Sequence, residues 1–406
     1  MIFLRAAGII AEYNPLHTGH LHLLGEARRL LGGNAAVVCA MGGDFVQRGD
    51  FALLRRQARA TAAVRSGADL VLELPLPWAA APAERFADGG VQVLLGTGVV
   101  DALAFGSECG DAAALGRVAA ALLSEEFPPL LKQELGRGDT FAAARQRAVG
   151  RLTGPEDASL LSSPNNTLGV EYCKALLTRG APVEVVTVPR RGAAHDAAGA
   201  PPGEAASAAA IRSLLRKKQR EEALAAMAPA MAEAYRAEEA AGRAPVFLEN
   251  CERAVLARLR CLEEADFAAL DPGREGLYRR LYRASRAAVS VEALLAEAKT
   301  KRYPYARLRR MVLWAYLGLR PGELPETVPY LRVLAANGRG RALLARMRET
   351  ASLPVLTKPA AVDRLGPEAR ALLDLEARGA DLYALAYPEL SAAAGGRLWR
   401  EGPAMI

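Results

Sequence analysis

Cysteine is scarce in this chain and scattered. The five residues Cys39, Cys109, Cys173, Cys251 and Cys261 are odd in number and form no C-x-x-C pair, so neither a disulfide framework nor a zinc knuckle is supported. No apolar run approaches the roughly 20 residues that cross a bilayer. The opening segment Phe3–Ala11 lacks the basic start and small-residue cleavage site of a signal peptide. A cytosolic chain with no membrane contact is therefore expected. No internal repeat is present, and no obligate protein partner is evident. Histidine is scarcer still. There are four, and three of them (His17, His20 and His22) fall within six residues. Two imidazoles can ligate zinc, but no Cys, Asp or Glu stands at ligand spacing beside them, so no metal site is expected.

What is present is ample material for folded domains. With 406 residues, 51% hydrophobic and 24% charged, the chain can build two cores. Its net charge of +7 favours a polyanionic partner, such as nucleic acid or a phosphorylated ligand. Alanine and arginine are abundant throughout, so clustered arginines carry more weight than their total.

Apolar, strand-like runs lie at Phe3–Ala11, Ala35–Met41, Leu70–Leu74, Ala102–Phe105 and Val183–Val188. Helical patterns fall between them at Leu21–Leu31, Arg55–Ser66, Ala83–Leu95 and Asp111–Ser124. Continuous apolar strands alternating with amphipathic helices predict an α/β, Rossmann-like parallel sheet covered on both faces. The small, Pro/Gly-rich stretch Gly192–Gly203 reads as a loop, and a helix over Ser207–Arg216 is expected to close a first domain of residues 1–216. Beyond it, residues 217–406 read as mainly helical: Glu221–Ala240, Val246–Arg260, Glu275–Ala287, Val291–Ala298 and Ala306–Leu317. Tyr330–Ala335 and Pro354–Thr357 are possible short strands around a helix at Gly338–Glu349.

Ligands of such sheets bind beyond the carboxyl ends of the strands, and the polar signatures sit there. The first is Gly8-Ile9-Ile10-Ala11-Glu12-Tyr13-Asn14-Pro15-Leu16-His17-Thr18-Gly19-His20. An apolar strand passes through a turn stiffened by Pro15 straight into a helix. Gly19 lets backbone approach phosphate oxygens, and the helix start offers free N–H groups. His17 and His20 can donate to charge developing on a departing pyrophosphate. The competing reading is that both imidazoles merely cap the turn.

The second strand ends in Met41-Gly42-Gly43-Asp44-Phe45-Val46-Gln47-Arg48-Gly49-Asp50, where Arg48 offers a fork for a carboxylate or phosphate. Glu73 ends the third strand, and could meet ligand or cap a helix. Phe105-Gly106-Ser107-Glu108 ends the fourth; Gly106 permits close approach of a ring or ribose, and Glu108 is a candidate anchor. In Ser162-Ser163-Pro164-Asn165-Asn166-Thr167-Leu168-Gly169 the two amides suit a base edge or ribose hydroxyls, or else plain helix capping. Arg190, Arg191 and the pair His195-Asp196 follow the fifth strand. Farther on, Lys299-Thr300-Lys301-Arg302-Tyr303-Pro304-Tyr305-Ala306-Arg307-Leu308-Arg309-Arg310 packs six basic residues and two tyrosines into twelve positions without an acid. Tyr278–Arg286 repeats the theme. Cations meet phosphates while tyrosines stack on unpaired bases; a solvated helix face is the plain alternative.

Taken together, GIIAEYNPLHTGH, MGGDFVQRGD, GADLVLELP, FGSE, SPNNTLGVEY, His195-Asp196, SAAAIR and KTKRYPYARLRR resemble, in this order and over nearly the whole chain, the bacterial tRNA(Met) cytidine acetate ligase family of the H-x-G-H nucleotidyltransferase superfamily. The resemblance implies an enzyme that activates acetate with ATP as acetyl-AMP. The acetyl group then passes to N4 of the wobble cytidine of elongator tRNA(Met). It implies ATP contacts from Ile10, Ala11, Glu12, Tyr13, Asn14, Pro15, Leu16, His17, Thr18, Gly19, His20, Leu21, His22 and Leu23, joined by Gly106, Asn165 and Arg190. Mg²⁺ would accompany the phosphates. His17, His20 and Arg48 are the catalytic candidates, Arg48 for acetate. Lys299, Lys301, Arg302, Tyr303, Arg307 and Arg310 are the tRNA-binding candidates. This chain departs from the family at Gly43 and Asp44, where Ser and Asn are usual, and at Ala209 and Ala210, where hydroxyls are usual. Asp44 places a negative charge near an expected anion site. Two other readings remain: a small-molecule adenylyltransferase, and an RNA-binding protein without catalysis.

Overall fold

Alternate residues of the first strand enter different cores, which is what a strand buried on both faces requires. Ala6 and Ile10 belong to one buried cluster, whereas Ala7, Ile9 and Ala11 belong to another. The same split runs through Val38 and Ala40 against Val37, Cys39 and Met41. A computed structural model describes residues 5–137, 140–190, 206–270, 276–301 and 303–406. It contains a central sheet of β1 (Ala6–Ala11), β2 (Ala36–Gly42), β5 (Leu70–Leu74), β6 (Ala102–Ser107), β7 (Glu184–Pro189), β8 (Leu331–Ala336), β9 (Val355–Leu356) and β10 (Ala404–Met405). A separate hairpin pairs β3 (Phe45–Val46) with β4 (Asp50–Phe51).

The strand order is β10-β8-β5-β2-β1-β6-β7, with β9 also beside β8. The neighbours from β5 to β7 are parallel; β8 pairs antiparallel with β5, and β9 and β10 run parallel to β8. The expected parallel α/β sheet is therefore present, with three added strands, β8, β9 and β10, that run the opposite way. The chain moves outward from β1 through β2 to β5 and then returns to β6 on the other side of β1. That reversal opens a crevice at the carboxyl ends of β1 and β6, the place where such sheets take ligands.

The sheet crosses the expected division at residue 216. β8, β9 and β10 all come from the second half, and Ala228 N–H donates to Leu16 O at 3.0 Å in the first turn of the chain. Arg55 further binds Glu238 at 2.9 Å and Glu401 at 2.6 Å. The stretch from Val246 to Leu319, with Tyr383 to Tyr387, gathers around Phe45, Phe51, Leu76 and Ala80 into a third, mainly helical core. The run Tyr330–Ala335 was too short to show from sequence that it joins a distant edge. Other boundaries shift for local reasons. Pro229 starts a new helix, dividing the expected Glu221–Ala240 into Arg220–Ala226 and Pro229–Ala240. The expected Val246–Arg260 helix begins at Glu252. Helices at Phe127–Leu135 and Phe141–Thr153 were not anticipated.

Beneath the hairpin lies a buried ionic cluster. Arg56, the first residue of helix α2 (Arg56–Arg65), binds Asp44 through Nε at 2.9 Å and Nη2 at 2.5 Å. It also reaches Glu73, and Glu376 at 3.3 Å. Arg332 on β8 binds Glu73 at 2.8 Å. Burial and the neighbouring Glu73 raise the Glu376 carboxyl to about 8. Folded Glu376 thus keeps its proton up to about 8, whereas the unfolded group releases it near 4.5. The native state binds the extra proton between these values, so this group's contribution to stability declines as pH rises through that window. Glu376→Gln should flatten that decline in urea-unfolding midpoints measured across the window; an unchanged pH slope would contradict it.

Candidate nucleotide-binding site

β1 ends and, after one turn, helix α1 (Thr18–Leu30) begins. Tyr13 takes a positive φ of 48° and the Asn14–Pro15 peptide is cis, which turns the chain sharply under the helix start. Asn14 is buried and fixes the turn, its Oδ1 accepting from Leu53 N–H at 2.7 Å and Arg212 Nη1 at 3.2 Å. His17 is the N-cap. Its Nδ1 accepts from Gly19 N–H at 3.1 Å, while His20 Nδ1 accepts from His17 N–H at 3.2 Å. This is a capping box in which both partners are imidazoles. Their centroids lie 4.0 Å apart, and Tyr13 meets His20 edge-on at 5.2 Å.

Capping and phosphate binding are not exclusive here. Because each Nδ1 accepts from backbone, the neutral ring carries its proton on Nε2 and offers a donor. The two rings and Gly19 line a cleft of about 210 Å³ at the crevice between β1 and β6. Ile10, Ala11, Glu12, Tyr13, His22 and Leu23 also line it, as do Arg48, Gly106, Asn165 and Arg190. Asn14, Pro15, Leu16, Thr18 and Leu21 do not. Asn14 and Leu16 are buried supports of the turn.

The other walls come from strand ends. Gly106 leaves room for Arg190, whose Cγ would stand 3.4 Å from an added Cβ. Arg190 Nη1 donates to Asn165 Oδ1 at 3.0 Å, and Asn165 Nδ2 donates to Glu108 at 2.6 Å. Glu108 also accepts from the N–H groups of Asn165 and Asn166 at 3.2 and 2.7 Å, capping the Pro164–Thr178 helix. Asn166 returns the contact by accepting from Glu108 and Cys109 N–H. The two asparagines therefore divide the work. Asn166 is a buried clamp, while Asn165 is half-buried and lines the cleft.

Sequence reasoning missed the apolar side of the cleft: Ile9, Phe86, Phe105, Leu168, Tyr172 and Val188. These residues are ordinary core types, and only the assembled sheet shows which of them border a void. Ser207, the start of the expected helix, has a second place in the site. It caps the Ala208–Arg216 helix by accepting from Ala210 N–H at 3.1 Å, and lines the cleft as well. This chain thus has alanine at positions 209 and 210 but keeps a capped helix N-terminus at the cleft.

Several expectations need correction. Asp44 is absorbed by Arg56 in the buried cluster, which holds its carboxyl below the usual range despite burial, so its charge does not reach the cleft. Glu73 belongs to the same cluster. Tyr303 is 4% exposed and packs in the helical core, so it cannot serve as a stacking platform; Tyr305, 43% exposed, can. Arg310 donates to Gln47 O at 3.3 Å, and burial pulls its guanidinium down to about 10. It therefore holds the Arg48 turn while remaining a cation at neutral pH. Gly49, with φ 75°, lies so close to the Arg309–Arg310 backbone that a Cβ would collide. Lys301 is exposed, Arg307 lies 5.3 Å over the Tyr303 ring, and Lys299 lies 5.5 Å over that of Tyr305. Arg302, Arg191 and the His195-Asp196 pair lie outside the described residues.

Comparison with known proteins agrees with this geometry. The profile of the HIGH Nucleotidyl Transferase family matches residues 4–397, which sets the class. The tRNA(Met) cytidine acetate ligase of Caldicellulosiruptor saccharolyticus is 36% identical over 396 residues, 95% of each chain. That of Acetivibrio thermocellus is 33% identical over 398 residues, again 95% of each. The crystal structure of Thermotoga maritima TmcAL in its apo form I superimposes with a TM-score of 0.94 at 32% identity, covering 99% of this chain and 100% of that one. Its form II, bound with alpha-thio ATP, gives 0.91 over 99% of each. The chain belongs to the tRNA(Met) cytidine acetate ligase family of HIGH nucleotidyltransferases.

His17→Ala removes the side-chain cap of α1. Stability in urea should fall by about 0.5–2 kcal/mol, and binding of a non-hydrolysable ATP analogue should weaken in the same protein. An unchanged midpoint would contradict the capping role.

Proposed function

We propose that this chain is an ATP-dependent ligase that joins acetate to a cytidine of tRNA, with elongator tRNA(Met) and its wobble N4 as acceptor. The observation that carries the reading is the paired-imidazole helix start at the β1–β6 crevice, in a chain related over its whole length to ligases of that name. ATP lies across the strand ends. Its phosphates meet the N-terminus of α1, the Nε2–H groups of His17 and His20, and Arg190 steadied by Asn165. Arg48 holds the acetate carboxylate. An acetate oxygen attacks the α-phosphorus in line, forming acetyl-AMP, and pyrophosphate leaves on the donors just named.

Mg²⁺ would supply charge neutralisation on the phosphate oxygens. Among the described residues no group of three or more His, Cys, Asp or Glu could hold a metal. Among them also, no helix is long and apolar enough to cross a membrane.

The acceptor approaches over the helical part. The Tyr305–Leu317 helix packs its start on the Gln47–Gly49 turn, so tRNA held on Lys299, Lys301, Tyr305 and Arg307 sits next to the residue that holds acetate. A small metabolite would need no such surface, which disfavours a simple adenylyltransferase. Incubation with ATP, acetate and bulk tRNA, followed by digestion to nucleosides, should yield N4-acetylcytidine that depends on acetate and is lost in His20→Ala. AMP conjugates of small molecules, with no acetylcytidine, would contradict this. Tyr305→Ala should weaken tRNA binding while leaving the urea midpoint unmoved; Tyr303→Ala should lower the midpoint.

A further inference from the structure

Resting on the reading above, we infer that Glu12 is the general base of acetyl transfer: its carboxylate accepts a hydrogen bond from the cytosine N4 amino group and takes up the proton released as N4 is acylated. Transfer onto an exocyclic amine has a requirement that adenylate formation lacks. The N4 lone pair attacks the acetyl carbonyl carbon, the carbonyl–oxygen bond to AMP breaks, and AMP leaves with that electron pair. The new amide nitrogen must then shed one proton, and a group in the cleft must receive it.

The hydrogen bonds narrow the choice. His17 and His20 each use Nδ1, the acceptor of the neutral ring, on a backbone N–H, so as placed they can donate but not accept. Tyr13 is engaged with Cys39 at 3.3 Å, away from this task. Arg48 and Arg190 are cations. Among the described residues lining the cleft, Glu12 is the sole carboxylate. It directly follows β1, at the strand ends where such sheets bind their ligands.

Its surroundings suit the task. Gln47 N–H donates to Oε1 at 2.6 Å, which fixes the carboxylate and ties it to the turn that carries Arg48. No hydrogen bond from the described residues is made to Oε2. The groups facing Glu12 are Arg48 on the hairpin turn, Arg59 on α2, Arg212 on the Ala208–Arg216 helix and Tyr172 on the Pro164–Thr178 helix. Burial pushes its carboxyl above the ordinary range against the pull of Gln47 N–H and the three arginines, toward values useful to a base at neutral pH. A carboxylate is also the side chain that reads a cytosine amino group.

The clamp on Gln47 is the competing role, and Glu12→Gln separates the two, since the amide oxygen can still accept from Gln47 N–H. The experiment supplies preformed acetyl adenylate and tRNA and follows single-turnover N4-acetylcytidine formation against pH. For the wild type the rate should rise with pH to a plateau as Glu12 deprotonates. For Glu12→Gln it should fall by about 100-fold or more and lose that rise, with the loss in the rate constant rather than in the tRNA concentration at half-saturation. Glu12→Asp, which keeps the carboxylate on a shorter arm, should show a lower plateau with the rise retained. A Glu12→Gln profile that keeps its slope would assign the base to another group, such as His22, and overturn the proposal. So would a loss confined to half-saturation, or, if Glu12→Gln fails to fold, an unaltered plateau in Glu12→Asp. Absence of acetylcytidine from the wild type itself would overturn the functional reading, and the proposal with it.

Discussion

One reciprocal contact organises the site. His17 and His20 accept from each other's stretch of backbone across the first turn of α1. An aspartate cap would satisfy the same N–H groups but present no donor of its own. An imidazole has a second nitrogen, so the ring that stabilises the helix start also carries a proton on its far side. The contact that caps the helix therefore also leaves each ring a donor at the cleft, and the rest of the site is arranged around it. The cis Asn14–Pro15 turn sets the ring pair at the strand end, and Arg212 and Leu53 hold that turn from beneath through Asn14.

The second constraint is the coupling of the hairpin to everything below it. Phe45 and Phe51 pack on Tyr383, with centroids 5.9 and 6.0 Å away, and the Tyr383 hydroxyl donates to Ala52 O at 2.8 Å. Asp44 and Arg56 anchor the same segment in the ionic cluster. Arg59, fully buried, donates to backbone oxygens of Glu12, Gly42, Gly43 and Leu54, and so joins the β1–α1 turn to the loop carrying Arg48. Removing one member of such a cluster leaves a buried charge without its partner, which typically costs about 3–5 kcal/mol. The cluster draws on β8 and the Pro367–Ala384 helix. The late part of the chain thus both completes the sheet and braces the loop that carries Arg48.

Much of this was legible in the residues. Continuous apolar runs marked the parallel strands because burial on both faces leaves no polar alternation. The clustered histidines and Gly19 marked the turn that opens α1, which the structure places at the cleft. What stayed hidden depended on partners far apart in sequence. Asp44 looked misplaced beside an anion site until Arg56, Glu73 and Glu376 were seen around it. Tyr303 and Tyr305 stand two apart in one basic run, and only the packing of the helical core shows that the first is inside and the second outside. The apolar wall of Phe86, Phe105 and Tyr172 carries no signal distinguishing it from other core residues.

The most direct measurement is long-range ¹H–¹⁵N correlation of the imidazoles, free and with a non-hydrolysable ATP analogue. Both His17 and His20 should be neutral, with the proton on Nε2, and both Nε2 resonances should move when the nucleotide is added. A proton on Nδ1 of either ring, or spectra indifferent to nucleotide, would contradict the account.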